Sequence, residues 1–114
     1  IVQHFNNYRN IKQQMQEFST QAVKIFKALA DPTRYRIVTL LIERGEMGCA
    51  DFDKAFPYSK SAMSHHYRIL ENANLIITRK ERQHVRVQVN QEILDRFLPN
   101  FEKVHVHSET LKTE

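Results

Sequence analysis

From Tyr8 the apolar positions fall at Tyr8, Ile11, Met15, Phe18, Ala22, Ile25 and Leu29, in steps of three and four over three heptads. That spacing predicts one long helix over residues 1–30 with a coiled-coil-like seam. The seam can pack on the chain's own core or on a second subunit. A helix this long overhangs a small body, so its seam is expected to divide: Tyr8 to Phe18 against a partner, Ala22 to Leu29 against the core. Asp31 followed by Pro32 is an N-cap with a first-turn proline and starts a second helix. Tyr35, Ile37, Val38, Leu40, Leu41 and Ile42 make that helix apolar over most of its surface, which predicts a central position, and Gly45 ends it.

A short helix from Cys49 to Phe56, with Phe52, Ala55 and Phe56 inward, stops at Pro57. Ser59 caps the next helix, which runs to about Ala73, where Asn74 suits a left-handed terminating residue. Two short helices joined by Pro57, Tyr58 and Ser59 have the punctuation of a helix-turn-helix over 49–73. Leu75 to Thr78 and Val85 to Val89 are β-rich runs around the polar Arg79 to His84, which predicts a β-hairpin over 75–89. Asn90 caps a last helix, 91–107, carrying Ile93, Leu94, Phe97, Leu98, Phe101 and Val104, with a kink or a fresh start expected at Pro99. The expected fold is a single domain over 1–114, mainly α, with a two-stranded β-hairpin.

Charge changes the picture next. Between Pro57 and Arg86, Lys60, Arg68, Arg79, Lys80, Arg82 and Arg86 oppose only Glu71 and Glu81, a surplus of four that equals the whole-chain net charge of +4. The rest of the chain is balanced. A basic block confined to one helix and one hairpin is the footprint of a nucleic-acid-binding surface. Within the helix, Ser61, Ser64, His65 and Arg68 fall at i, i+3, i+4 and i+7 and form a polar face, while Ala62, Met63, His66, Ile69, Leu70 and Ala73 lie opposite. Small hydroxyls and a His let the backbone approach base edges, and Lys60 and Arg68 can take phosphates or guanine. A solvated polar face has the same pattern, and the adjoining basic hairpin is what favours DNA.

Three segments carry a resemblance. FKALADPTRYRIVTLL from Phe26, SKSAMSHHYRILENANLI from Ser59 and ITRKERQHVRVQV from Ile77 together resemble the ArsR/SmtB family of winged helix-turn-helix transcriptional regulators, over about two thirds of the chain and in the family's order. The resemblance implies a symmetric dimer through the first and last helices, bound to an imperfect operator palindrome, most often as a repressor. Carried over, Lys60, Ser61, Ala62, Ser64, His65 and Arg68 form the DNA-facing set, Arg79, Lys80, Arg82 and His84 the wing, and His66 an inward-packed histidine. The dimer set is Tyr8, Ile11, Met15, Phe18, Leu94, Phe97, Phe101 and Val104. Arg82 stands where the wing turn of the family usually has Gly.

Metal-sensing relatives carry paired cysteines before the helix-turn-helix in a pattern like ELCVCDL. Here Gly48 and Ala50 occupy the ligand positions, with the single Cys49 between them, so no metal is expected there. Cys49 reads as a small, partly buried residue or, alternatively, as a redox thiol controlling repression. At the family's second metal site Gln91 and Ile93 replace the first ligand pair. His105 and His107, at i and i+2, point to different helix faces and could share an ion only across a dimer or in an extended tail, with His4 and Glu109 as further candidates; otherwise they are solvated tail residues.

One Cys excludes an intramolecular disulfide and fits a reducing cytosol, and two Gly exclude glycine-rich phosphate loops. No elbow, HExxH, CxxC or paired-carboxylate spacing points to an enzyme, and no cofactor is expected. No apolar run approaches the ~20 residues of a membrane span, and no export signal follows Ile1, so a cytoplasmic location is expected. The alternative to DNA binding is a winged-helix protein-interaction module whose basic face meets an acidic partner.

Overall fold

A computed structural model describes residues 2–106, with side chains from residue 10 onward. The side chains of His4 and Tyr8, and all of His107 and Glu109, lie outside the described residues. The elements are α1 (Val2–Leu29), α2 (Pro32–Arg44), β1 (Met47–Gly48), α3 (Cys49–Ala55), α4 (Lys60–Asn72), β2 (Ile76–Glu81), β3 (His84–Val89), α5 (Gln91–Phe97) and α6 (Phe101–His105).

The divided seam of α1 is visible in its burial. Every described residue from Asn10 to Thr20 is exposed, whereas Ile25 and Ala28 are fully buried and Leu29 packs on the core. Gln21 Nε2 donates to the Ala73 carbonyl at 2.7 Å and ties the middle of α1 to the end of α4. The helix α2 is central, as its composition predicts: Ile37, Val38, Leu40 and Leu41 are buried. Its ends follow local chemistry. Asp31 Oδ2 accepts from the Arg34 amide at 3.0 Å, Pro32 occupies the first turn, and Gly45 closes the helix at φ 82° with its amide on the Leu41 carbonyl.

In α3, Phe52 and Phe56 turn inward with ring centroids 6.3 Å apart. Ala55, expected beside them, is exposed. The two rings already cover this side of the core, and the methyl falls on the solvent flank of so short a helix. Ser59 Oγ accepts from the Ala62 amide at 3.1 Å and starts α4. Asn74 closes it at φ 62°, with the Leu75 amide reaching back to the Leu70 carbonyl at 3.0 Å.

The sheet differs from the expected two strands. It has three, in the order β1-β3-β2, because Met47 and Gly48 pair with Val87 and Arg86. The hairpin also continues through the polar stretch to Glu81↔His84, so the connection shrinks to Arg82 and Gln83. Backbone ladders do not need apolar side chains, so polar composition marks a loop poorly. Leu75 precedes the strand and is buried in the core.

The last helix is two helices. Leu98 ends α5, Asn100 takes a left-handed φ of 65°, and α6 restarts at Phe101, the fresh start expected from Pro99. Leu94 and Phe101, both expected at a subunit interface, are 1% and 7% exposed within the chain's own core.

Candidate nucleic-acid interface

The polar face of α4 stands free. Lys60, Ser61, Ser64, His65 and Arg68 are exposed, while Met63 and Leu70 are buried beneath them. Ala62 is half-buried, its amide engaged by the Ser59 cap, so of the expected DNA-facing set it is the most recessed. With the side chains lining α4 held by Met63, Leu70 and Ala73 in the core, the helix cannot rotate without exposing them.

Two contacts absent from the sequence reading set the position of α4. His66 is half-buried, as the resemblance implies, and its Nδ1 accepts from Arg34 Nη1 at 3.2 Å. A guanidinium only donates, so this contact requires the tautomer with hydrogen on Nε2. Arg34 Nε donates to the Ala28 carbonyl at 2.7 Å, and Asp31 lies 3.9 Å from both His66 and Arg34. This knot joins the end of α1, the start of α2 and the back of α4. The Asp31 carboxyl is held below its ordinary range, first by the hydrogen bond from the Arg34 amide, which outweighs the opposing effect of burial, and then by the Arg34 charge. At the other end of α4, Thr78 Oγ1 donates to Glu71 Oε2 at 2.6 Å and couples the helix to the first strand of the wing.

The wing residues divide into two groups. Lys80, Arg82 and His84 are exposed, and neither Lys80 nor Arg82 forms an ion pair with another described residue. Arg82 sits at the tip at φ 56°, a backbone region where a glycine is usual, so the turn keeps its left-handed geometry and carries a charge. Arg79 is different. Its guanidinium donates to Glu46 and, at 2.8 Å, to Glu81, and Arg86 Nε donates to the same Glu46 oxygen at 3.0 Å. Side-chain hydrogen bonds from Arg86 and Arg79 hold the Glu46 carboxyl below its ordinary range, and Glu46 and Glu81 push Arg79 up. Between α4 and β3 lies an open cleft of 660 Å³, lined by Lys60, Met63, Tyr67, Arg68, Val85 and Arg86.

Cys49 is half-buried at the edge of this cleft. Burial first, then the Asp53 carboxylate, push its thiol up, with the Tyr67 hydroxyl opposing. That environment disfavours the thiolate a redox switch needs. The Tyr67 hydroxyl is itself buried, and burial pushes it up strongly. Among the described residues no group of three His, Cys, Asp or Glu side chains is placed to hold a metal ion. His105 is exposed, and it also makes contacts on the body of the chain: its Nδ1 lies 2.8 Å from the Tyr35 hydroxyl and its ring stacks on Phe101 with centroids 4.2 Å apart.

Of the expected dimer set, Ile11, Met15, Phe18 and Val104 are 57%, 66%, 42% and 62% exposed. Phe97 is half-buried and stacks on Phe18 at 4.4 Å, with the Arg96 guanidinium over both rings. Among the described residues no helix is long and apolar enough to cross a membrane.

A helix-turn-helix whose second helix presents a free polar face beside a charged β-hairpin is a winged helix-turn-helix, a DNA-binding fold. A family profile described as a helix-turn-helix domain matches residues 29–79. The transcriptional repressor SdpR of Bacillus subtilis is 37% identical over 70 residues, which are 61% of this chain and 77% of SdpR. An arsenical resistance operon repressor of Staphylococcus xylosus is 35% identical over 81 residues, 71% of this chain and 77% of that protein. The solved structure of HlyU from Vibrio cholerae N16961 is similar with a TM-score of 0.59 at 30% identity, covering 70% of this chain and 94% of HlyU. The chain belongs to the ArsR/SmtB family of winged helix-turn-helix transcriptional regulators, and is a DNA-binding regulator.

Proposed function

We propose that this chain acts in the cytoplasm as a homodimeric repressor that binds an operator palindrome in double-stranded DNA, with no enzymatic step. The observation that carries this reading is the free face of α4, where Ser61, Ser64, His65 and Arg68 are all exposed beside the unpaired wing cations Lys80 and Arg82. Ser64 and His65 read base edges; Lys60 and Arg68 contact phosphate or guanine; Lys80, Arg82 and His84 follow the backbone. Arg79 is not in that last group, because its guanidinium donates to both Glu46 and Glu81, which offset its charge. The repressor sense is supported by the names of SdpR and the arsenical resistance repressors. The dimer is supported by the exposed apolar strip Ile11, Met15 and Phe18, and by the exposed Val104 on α6. Family membership favours DNA over an acidic protein as the partner of the basic face.

Gel shifts with the chain's own promoter region and a random duplex test the base-reading role. His65→Ala is expected to narrow the preference for promoter over random duplex while leaving random-duplex affinity close to that of the parent. Equal losses on both duplexes overturn it.

A further inference from the structure

The number of cations on the wing and the charge it can offer to DNA are different quantities, and Glu46 separates them. Arg79 and Arg86 are directly paired in the β2/β3 register, an arrangement that places like charges face to face and weakens a ladder. Glu46 immediately precedes β1, and β1 pairs along the free edge of β3, with Met47 buried opposite Val87 and Gly48 opposite Arg86. This docking brings one carboxylate to the place where both guanidinium groups meet. Its Oε1 accepts from Arg86 Nε and Arg79 Nη2, and Arg79 Nη1 donates to Glu81. Two cations and two anions form a linked, neutral chain, Arg86–Glu46–Arg79–Glu81, on the wing.

We propose that Glu46 sets the strength of the wing's contact with DNA: as an internal counter-ion it withholds Arg79 and Arg86 from phosphate, leaving Lys80 and Arg82 to make that contact. The proposal rests on the reading that the wing touches the DNA backbone. A carboxylate and a phosphate compete for the same N–H fork of an arginine. The Arg79 and Arg86 side chains are 55% and 38% exposed, so both can reach solvent once the carboxylate is neutralised. Glutamine keeps the length and an acceptor oxygen, and Met47 still docks β1 in the core.

Fluorescence anisotropy of a labelled random-sequence duplex, titrated between low and moderate salt, reads the number of phosphate contacts directly. Each contact contributes about 0.9 to the slope of log affinity against log salt, or about 3.5-fold in affinity over a fourfold change in salt. Glu46→Gln is expected to steepen the slope by one to two such contacts and to tighten binding at low salt. Arg79→Gln alone is expected to leave the slope unchanged, but to remove about 0.9 from it in the Glu46→Gln background. If Glu46 only held the sheet together, Glu46→Gln would lower the thermal midpoint and flatten the slope, and Arg79→Gln would act alike in both backgrounds; that overturns the proposal. Should Glu46→Gln fail to fold, Arg79→Gln decides alone, since a loss of about 0.9 from the parent slope overturns the withholding of Arg79. Lys80→Gln and Arg82→Gln separate the two levels. No change in slope for either removes the wing reading itself, whereas a fall for both with no gain for Glu46→Gln overturns only the role of Glu46.

Discussion

Replacing Met15 by alanine separates association from folding. Met15 is 66% exposed, on a stretch of α1 where every described residue from Asn10 to Thr20 is exposed, so the isolated chain loses little packing. Alanine is also the best helix former, and the helix itself is not weakened. Fully burying a methionine contributes about 1.5–3 kcal/mol, so covering the remaining two thirds of this one contributes about 1–2 kcal/mol. In the proposed homodimer a two-fold axis would use the residue twice, which makes the loss about 2–4 kcal/mol per dimer. At about 1.4 kcal/mol per tenfold, the dimer dissociation constant should rise about 30- to 700-fold. Sedimentation equilibrium over a dilution series measures it, and circular dichroism melts monitor folding. Leu94→Ala is the contrasting variant: Leu94 is 1% exposed inside the core, and its truncation should cost about 2–5 kcal/mol of folding stability. The reasoning fails if Met15→Ala dissociates no more readily than the parent, or if its melt at monomeric concentration falls as far as that of Leu94→Ala.

Other expectations follow from single positions. Arg82→Gly removes a side chain from a backbone at φ 56° and should raise stability by about 1 kcal/mol while lowering affinity for every duplex, so denaturant midpoints and DNA binding should move in opposite directions. Asp31 has its carboxyl depressed below its ordinary 3.8, so the ionised form contributes stability at neutral pH that is lost as pH falls through the depressed value. Asp31→Asn should therefore melt below the parent at neutral pH, with the gap closing as the pH falls through that depressed value; a gap independent of pH contradicts the role of the charge. Cys49→Ser should leave DNA binding unchanged after mild peroxide treatment of either protein, because burial and Asp53 push the thiol up. A peroxide response present in the parent and absent in the serine variant reverses that conclusion.

Features made by neighbouring residues were legible in the sequence. The Asp31 and Ser59 caps, the left-handed Asn74, the restart after Pro99 and the exposed face of Ser61, Ser64, His65 and Arg68 each depend on a few adjacent positions or one helical period. Their physics is local: a side-chain oxygen within reach of an amide three residues on, a missing N–H, a 3.6-residue repeat. Other features depend on segments far apart in the chain. A two-residue strand such as Met47–Gly48 has no periodicity to detect, and it exists only because β3 offers an edge to pair with. The Glu46 contacts span 33 and 40 residues, and the Arg34–His66 contact spans 32. Leu94 and Phe101 have the same apolar character as the exposed Val104, so sequence could not separate core from surface; only the packing of the helices on one another did. The basic stretch from Pro57 to Arg86 was thus marked by the sequence as the candidate DNA-binding surface, while the tertiary structure decided which of its charges are paired with other described residues, because ion pairing is settled by proximity in space and not by order along the chain.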